Sequence, residues 1–580
     1  MKTLFSPIRT VCLASMAVLA AIGAARAQAV PEARVQELIA QAKAQVMAQQ
    51  RTPAQMSAAE ARAFPLTMEE AVKRALDQNI DLVVERLNPQ LQDLALAQVL
   101  GAYRPTLNGT FGDNWNRSQG TSQLSGGQNI EVGNYLYNAS VQQSLPWFGS
   151  AVSLGWTNTR TESTSNNATI NPQYRTGLTA SLTQPFMRNF KIDNTRQQLA
   201  TTTISRENAD VNLRALVINT VANTRNAYWD LVYAIQAVDV ARTSLRLAEK
   251  LVEDNKTRVE IGTMAPIDVV SAQAEAATRR QALVQVEANR QTAELALKRL
   301  IVGGTSDALW NVLLNPTDRP ATGAGEKVDL EGAVRTALEK RTDLIVARKS
   351  LQSNDISIRY LRNQMLPGLD LTATYGASGT GGTQLIRNSQ LGGQVVNTVP
   401  GGYTDALSFL GKNSFPNWNV QLTFSYPIGR SSADVSYARA KVQYSQAQAQ
   451  LRSLELQVAT DVTNAALTVQ SNYQQVQAAG AARELAQKKL EAEQSKFEVG
   501  MSTNYFVVQA QRDLSDSQNS ELRAILNYRK SLVDYQRVQE TSSSSRGSGA
   551  SGISTGGGTT TTSGSSGSRT GGSGSSTGGL

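Results

Sequence analysis

The chain has no histidine and a single cysteine among its 580 residues. The first absence removes the commonest general base and the commonest metal ligand together. Other catalytic chemistry would need its own framework, and no GxSxG in a strand-to-helix setting, SxxK, P-loop or HExxH pattern supplies one. No enzyme, cofactor or metal centre is therefore expected. The cysteine, Cys12, falls within a leader: Lys2 and Arg9, then an apolar stretch from Val11 to Ile22, then Ala25-Arg26-Ala27. That order is a secretory signal, and the apolar stretch is shorter than the ~20 residues of a spanning helix. A mature chain starting after residue 27 would have no thiol, disulfide or lipid anchor. Its basic count would fall from 56 to 53 against 47 acids, a formal charge of +6. No Lys/Arg-dense run with interleaved aromatics is present, so nucleic acid is not an expected partner.

Proline is missing where helices are long. None occurs from Phe186 to Ala265, from Ile267 to Asn315, or after Pro427. These stretches are rich in Ala, Gln, Leu, Glu, Lys and Arg, which favour helix. A helix from about Asp193 to Glu260 would reach roughly 100 Å at 1.5 Å per residue, a length typical of coiled-coil-like assemblies.

What is present is a duplication. Leu66-Thr67-Met68-Glu69-Glu70-Ala71-Val72-Lys73-Arg74-Ala75-Leu76 is echoed by Val328-Asp329-Leu330-Glu331-Gly332-Ala333-Val334-Arg335-Thr336-Ala337-Leu338, and Pro105 by Pro367 in the same register. Arg258-Val259-Glu260-Ile261-Gly262 is likewise echoed by Lys496-Phe497-Glu498-Val499-Gly500. Chance likeness between Ala-rich helices explains alanines but not matched prolines, glycines and acids. The expected organisation is a signal peptide (1–27), an N-terminal segment (28–65), a first repeat (66–327), a second repeat (328–540) and a Ser/Gly/Thr-rich tail (541–580) too poor in apolar groups to fold.

Between the helices the period changes to two. Trp418, Val420, Leu422, Phe424 and Tyr426 alternate with Asn419, Gln421, Thr423 and Ser425. Leu369, Leu371, Ala373 and Tyr375 follow Pro367 in the same way, as Leu107, Gly109 and Phe111 follow Pro105, and Leu178, Ala180 and Leu182 precede Pro185. These are strands with one apolar face. Gln119–Asn129 and Gly376–Gly402 read as exposed loops. A soluble sandwich would also bury such faces, but export, long loops and extreme helices favour a transmembrane barrel, and four to six strands are too few to close one alone. Several chains would have to share it. Tyr137–Leu145 and Val152–Trp156, turning at Pro146-Trp147-Phe148-Gly149, form an additional hairpin expected to lie outside the minimal wall.

Leu66-Thr67-Met68-Glu69-Glu70-Ala71, Pro105, Pro367, Gln184-Pro185-Phe186, and Gly262-Thr263-Met264-Ala265-Pro266-Ile267-Asp268-Val269 with Ala272-Gln273 together resemble the TolC outer-membrane efflux family over about residues 66–540. The resemblance implies a mixed fold: long antiparallel helices forming a periplasmic tunnel, continued by a transmembrane β-barrel shared by a homotrimer in outer-membrane lipid. It implies a passive exit duct of a tripartite efflux or type I secretion system, with a periplasmic adaptor protein and an inner-membrane transporter as partners. A surface-anchored fibrous or adhesin-like protein is the rival, weakened by strands recurring in both halves. Under the resemblance, the inner aperture and adaptor-docking tips comprise Gly262, Thr263, Pro266 and Asp268 in the first repeat and Gly500, Thr503, Tyr505, Phe506 and Gln509 in the second. Phe506 and Gln509 stand where the best-known members carry a ring of aspartates, and Ser502 where they carry an arginine. Three copies of Tyr505 or Phe506 would line a hydrophobic constriction, or else pack between neighbouring helices.

Overall fold

A computed structural model of the chain describes residues 64–542 apart from 120–128, 167, 320–327 and 389–392. The signal peptide, residues 28–63, the loop expected at Gln119–Asn129 except for its two ends, and the Ser/Gly/Thr-rich tail after residue 542 lie outside the described residues.

Strand β1 (Phe64–Leu66) leads into helices α1 (Met68–Gln78) and α2 (Ile80–Gly101). Each begins where a side chain satisfies free backbone N–H groups: Thr67 Oγ1 accepts from Glu70 N, and Asn79 Oδ1 from Asp81 N and Leu82 N. Four strands follow, β2 (Thr106–Gln119), β3 (Asn129–Ser144), β4 (Ala151–Ser163) and β5 (Ile170–Pro185). Helices α3 (Asn194–Glu260) and α4 (Pro266–Ile301) then form an antiparallel hairpin, and β6 (Leu314–Pro316) pairs in parallel with β1. The later part brings α5 (Leu330–Lys340), α6 (Thr342–Gln364), β7 (Gly368–Arg387), β8 (Val395–Val399), α7 (Tyr403–Gly411) and β9 (Pro416–Ser425). A second long hairpin, α8 (Ser432–Glu498) and α9 (Asn504–Val538), ends the described fold.

Both α3 and α8 contain 67 residues, and Asp193 and Ser431 cap their starts. So long a helix cannot be stabilised by a single packing contact; it is held along a seam. On α8 the buried residues Val458, Val462, Ala466 and Val469 recur at three- and four-residue spacing, as do Asn504, Val507, Ala510, Gln511, Leu514 and Ser515 on α9. Two larger clusters anchor the opposite ends of these hairpins. One gathers Leu66, Tyr228, Leu231, Leu297, Ile301 and Leu314; the other gathers Ala333, Ala337, Leu344, Val458, Val462 and Val538. Truncating a fully buried Leu there to Ala would cost about 2–5 kcal/mol. Polar ties support both clusters. Tyr228 donates within reach of the Leu66 carbonyl at 3.0 Å and the Asp318 carboxylate at 2.9 Å. Arg341, 1% exposed, pairs with Asp343 and Asp461, each at 3.0 Å.

Apart from the β1–β6 pair, the strands form one sheet in the order β2-β3-β4-β5-β7-β9, antiparallel throughout, with β8 pairing beyond β9 on the far end of β7. The additional hairpin is a correction. Its strands are β3 and β4, longer than expected, and they sit between β2 and β5, so that β2 reaches the rest of the sheet only through them. Its turn closes against the helix end of the sheet, where Ser150 hydrogen-bonds to Gln184 and Phe148 stacks on Phe190 at 4.9 Å. The Gly376–Gly402 stretch is not simply loop either: β7 runs on to Arg387, and β8 follows. Glycines hide the alternation there because they carry no side chain to alternate.

Candidate functional site

Cross-strand register sorts the sheet into two chemically distinct faces. One row runs Leu107, Val141, Leu154, Ala180, Tyr375, Trp418, and the next Gly109, Ala139, Trp156, Leu178, Ala377, Pro416. Toward the helices the same face continues with Val152, Leu182, Ala373 and Val420, then Leu371 and Leu422, then Leu369 and Phe424. The opposite face carries rows such as Thr106, Gln142, Ser153, Ser181, Thr374, Asn419. Large apolar groups on the first face are open: Trp418 is 76% exposed and Phe424 66%. In water such a continuous patch would be costly, whereas a lipid-facing barrel wall requires it. At the far end the apolar face gives way to ion-paired Arg160 and Glu162, and Arg117 with Glu131. Both edge strands, β2 and β9, are exposed along their whole length, and each has one side unpaired among the described residues. Among the described residues no helix is long and apolar enough to cross a membrane.

The other end of the fold holds the two helix-hairpin tips. After α3, Gly262 adopts φ +78°, its N–H reaches the Val259 carbonyl, and Thr263 N reaches the Arg258 carbonyl. After α8, Gly500 adopts φ +81°, with Gly500 N on the Phe497 carbonyl and Met501 N on the Lys496 carbonyl. Both are the paired bonds of a glycine-terminated helix. Pro266 then opens α4, where its missing N–H costs nothing, with Asp268 in the first turn; Thr503 stands at the N-cap position of α9 without a side-chain capping bond. Thr263 Oγ1 also bonds to the Arg258 carbonyl at 2.9 Å.

The tips touch each other. Asn504 accepts from Asn255 Nδ2 at 3.0 Å and donates toward the Asp268 carbonyl at 3.4 Å. Arg258 lies 4.4 Å above the Phe497 ring and donates to its carbonyl at 3.2 Å. Leu251, Phe497 and Val507 form a small apolar cluster beneath. Farther along, Glu275, 5% exposed, accepts from Arg279 Nε at 2.7 Å and Arg512 Nε at 3.1 Å. Burial pushes its carboxyl pKa up, but the bonds from Arg512 and Arg279 outweigh this and hold it below the ordinary 4.5. Of the sequence-derived candidates, Asp268 alone enters these ties. Gln509 turns to Asp513 at 2.8 Å, and Tyr505 and Phe506 lean edge to face at 5.6 Å, remaining 69% and 54% exposed. Neither ring packs between helices of its own chain. The tying residues Asn255, Arg258, Glu275 and Arg512 escaped sequence reading, because their partners lie more than 200 positions away.

A sheet with one open apolar face and two unpaired edges, joined to long helix hairpins, fits a membrane-embedded β-structure with a helical extension, and comparison with known proteins gives the family. The profile of the outer membrane efflux protein family matches residues 124–303 and 333–537. The chain belongs to that family and is an outer-membrane protein. It is 25% identical over 310 residues to outer membrane protein TolC of Escherichia coli (strain K12), a match covering 53% of this chain and 58% of that relative's length. Its fold resembles a membrane protein from Pseudomonas aeruginosa (17% identity, TM-score 0.59, 81% of this chain and 92% of the other). It also resembles the CmeC outer membrane channel of Campylobacter jejuni (14% identity, TM-score 0.58, 82% and 85%).

Proposed function

We propose that the chain is the exit-duct subunit of a tripartite efflux or type I secretion system, a homotrimer coupled through a periplasmic adaptor to an inner-membrane pump. The observation that carries this is the sheet: apolar on one face, polar on the other, and, among the described residues, unpaired at both β2 and β9. A β-structure in lipid must close on itself because no water is present to satisfy an edge. Six long strands per chain, with the short β8 sharing the β9 edge of β7, are too few, so β9 of one copy pairs with β2 of the next, and three copies make an eighteen-stranded wall. Its diameter is roughly one and a half times that of twelve strands. The two repeats supply the helix hairpins of a periplasmic tunnel, whose inner end is formed by the Gly262 and Gly500 tips. There the open Tyr505 and Phe506 rings face other copies and narrow the aperture with neutral, apolar groups. The protein does no chemistry; energy comes from the pump, and selectivity from pore width and lining. Mass measurement in detergent followed by planar-bilayer recording tests the proposal. A stable trimer that conducts is expected, and a monodisperse monomer would remove it.

A further inference from the structure

Helix α7 is an excursion from the last strand. The chain leaves the edge of β7 after β8, turns through α7 and returns at Pro416 to resume pairing with β7 as β9. The excursion packs on the apolar face of the sheet, on the side of Asn158, Thr176, Gly379 and Gly381. Glycine is required beneath it: a Cβ on Gly379 would come within 2.0 Å of the Ala406 carbonyl oxygen, and one on Gly381 within 2.3 Å of the Gly402 oxygen. The seat is also polar-matched. Tyr403 donates to Asn158 Oδ1 at 2.7 Å, Thr176 does the same at 2.7 Å, and Trp156 donates to Thr176 at 3.1 Å. Asn158 and Thr176 are 1% and 2% exposed under the helix. The Tyr403 ring stands 5.9 Å from Tyr137 and 6.1 Å from Tyr174.

The remaining surface of α7 is divided. Tyr403, Ala406 and Leu410 share the side nearest the seat, while Thr404, Ser408 and Lys412 recur at four-residue spacing on the side away from it. Phe409 and Phe415 pair at 5.8 Å on its flank and are 38% and 57% exposed. Phe415 directly precedes Pro416, so this flank adjoins the apolar rows of β9. The ion pairs Arg160–Glu162 and Arg117–Glu131 occupy the same face just beyond. The helix thus sits where the apolar band ends and charge begins.

We propose that α7 is an interfacial helix seated on the lipid side of the barrel wall, with Phe409 and Phe415 entering the acyl chains of the outer leaflet and Thr404, Ser408 and Lys412 facing its headgroups. The proposal rests on the barrel reading above. Membrane contact is thereby widened at one level of the wall without adding a strand, and the interface is fixed at the height of Tyr137 and Tyr174. The alternative site for the helix, inside the lumen, requires the Leu107–Trp418 row to face water and the Thr106–Asn419 row to face lipid.

Single spin labels on the full-length trimer in liposomes test this, at Phe409→Cys, with Phe415→Cys as a second position should the first not assemble. Leu422→Cys and Asn419→Cys mark the two faces of the wall. Collision with oxygen should exceed collision with a nickel chelate severalfold more at 409 or 415 than at 419, as at 422. A nickel-accessible 409 and 415 with 422 still lipid-like would overturn the placement of α7 and leave the barrel intact. Nickel access at 422 with lipid exposure at 419 would instead invert the wall and overturn both.

Discussion

Gly262 and Gly500 do their work through backbone conformation alone, since a Cβ added at either would meet nothing within 4 Å. Gly500→Ala should therefore cost about 1 kcal/mol, from the left-handed φ and not from crowding, and thermal melting of the protein should register a small drop. Phe506 and Tyr505 pose the opposite case. Their exposure means little folding free energy is lost on truncation, so Phe506→Ala or Tyr505→Ala should raise single-channel current with little change in melting temperature. If the rings instead pack between copies, stability falls and current stays put. Divalent cations should block weakly, because acids bonded around that turn are already paired, Asp513 with Lys489 Nζ at 2.7 Å and Glu493 with Lys496 Nζ at 2.8 Å. At the Glu275 tie the sign of the pH effect is fixed by a carboxyl whose folded pKa lies below 4.5. Its contribution is present above pH 4.5 and is lost as pH falls through the lower folded value. Glu275→Gln should flatten the acid limb of a stability–pH profile measured by melting; an unchanged limb would show that the tie contributes nothing.

At the scale of the element, legibility in the sequence tracked how local the signal is. The start of α3 at Asp193 and its stop at Gly262 were readable because a cap and a left-handed glycine act within a few residues. Strand β9 was readable because Trp418, Val420, Leu422 and Phe424 alternate without interruption. The far half of β7 was not, since Gly376, Gly379, Gly381 and Gly382 break the pattern, two of them to admit α7. Nor was the place of the β3–β4 hairpin, for alternation gives a strand two faces but says nothing of its neighbours. The tip ties were invisible for a related reason: Glu275 and Arg512 are ordinary members of a charged helix surface until the fold brings two hairpins together. The corrected hairpin position reverses the effect of deletion. Removing Tyr137–Asn158 strips the helix-side half of β3 and most of β4 from between β2 and β5, leaving Thr106–Phe111 of β2 without partners and breaking the link to β5. Outer-membrane insertion, scored by recovery of a heat-modifiable trimer band from membranes, should be lost, whereas a hairpin outside the wall would leave it intact.

For the whole molecule, the decisive question is how copies meet. Strand β2 runs away from the helices and β9 runs back toward them, so the two unpaired edges can join only as an antiparallel pair when one copy follows another around an axis. Strands in such a wall lie 4.7–4.9 Å apart, near enough for a disulfide between facing cysteines at a non-hydrogen-bonded pair. The only native cysteine, Cys12, lies in the expected signal segment, so introduced thiols should be the sole ones in the mature protein. Gly109→Cys on β2, combined in turn with cysteine at Asn417, Asn419, Gln421 and Thr423, then Trp418, Val420 and Leu422, scans both faces and the stagger of the closing strand. One or two combinations on a single face should give a ladder of covalent dimer and trimer on denaturing gels after oxidation, and either single variant alone should give none. The register found would also fix the shear of the barrel and, with it, the tilt of its strands. A ladder that continues to tetramer would change the strand count, and no cross-link at any combination would separate β2 from β9 and sink closure by these edges.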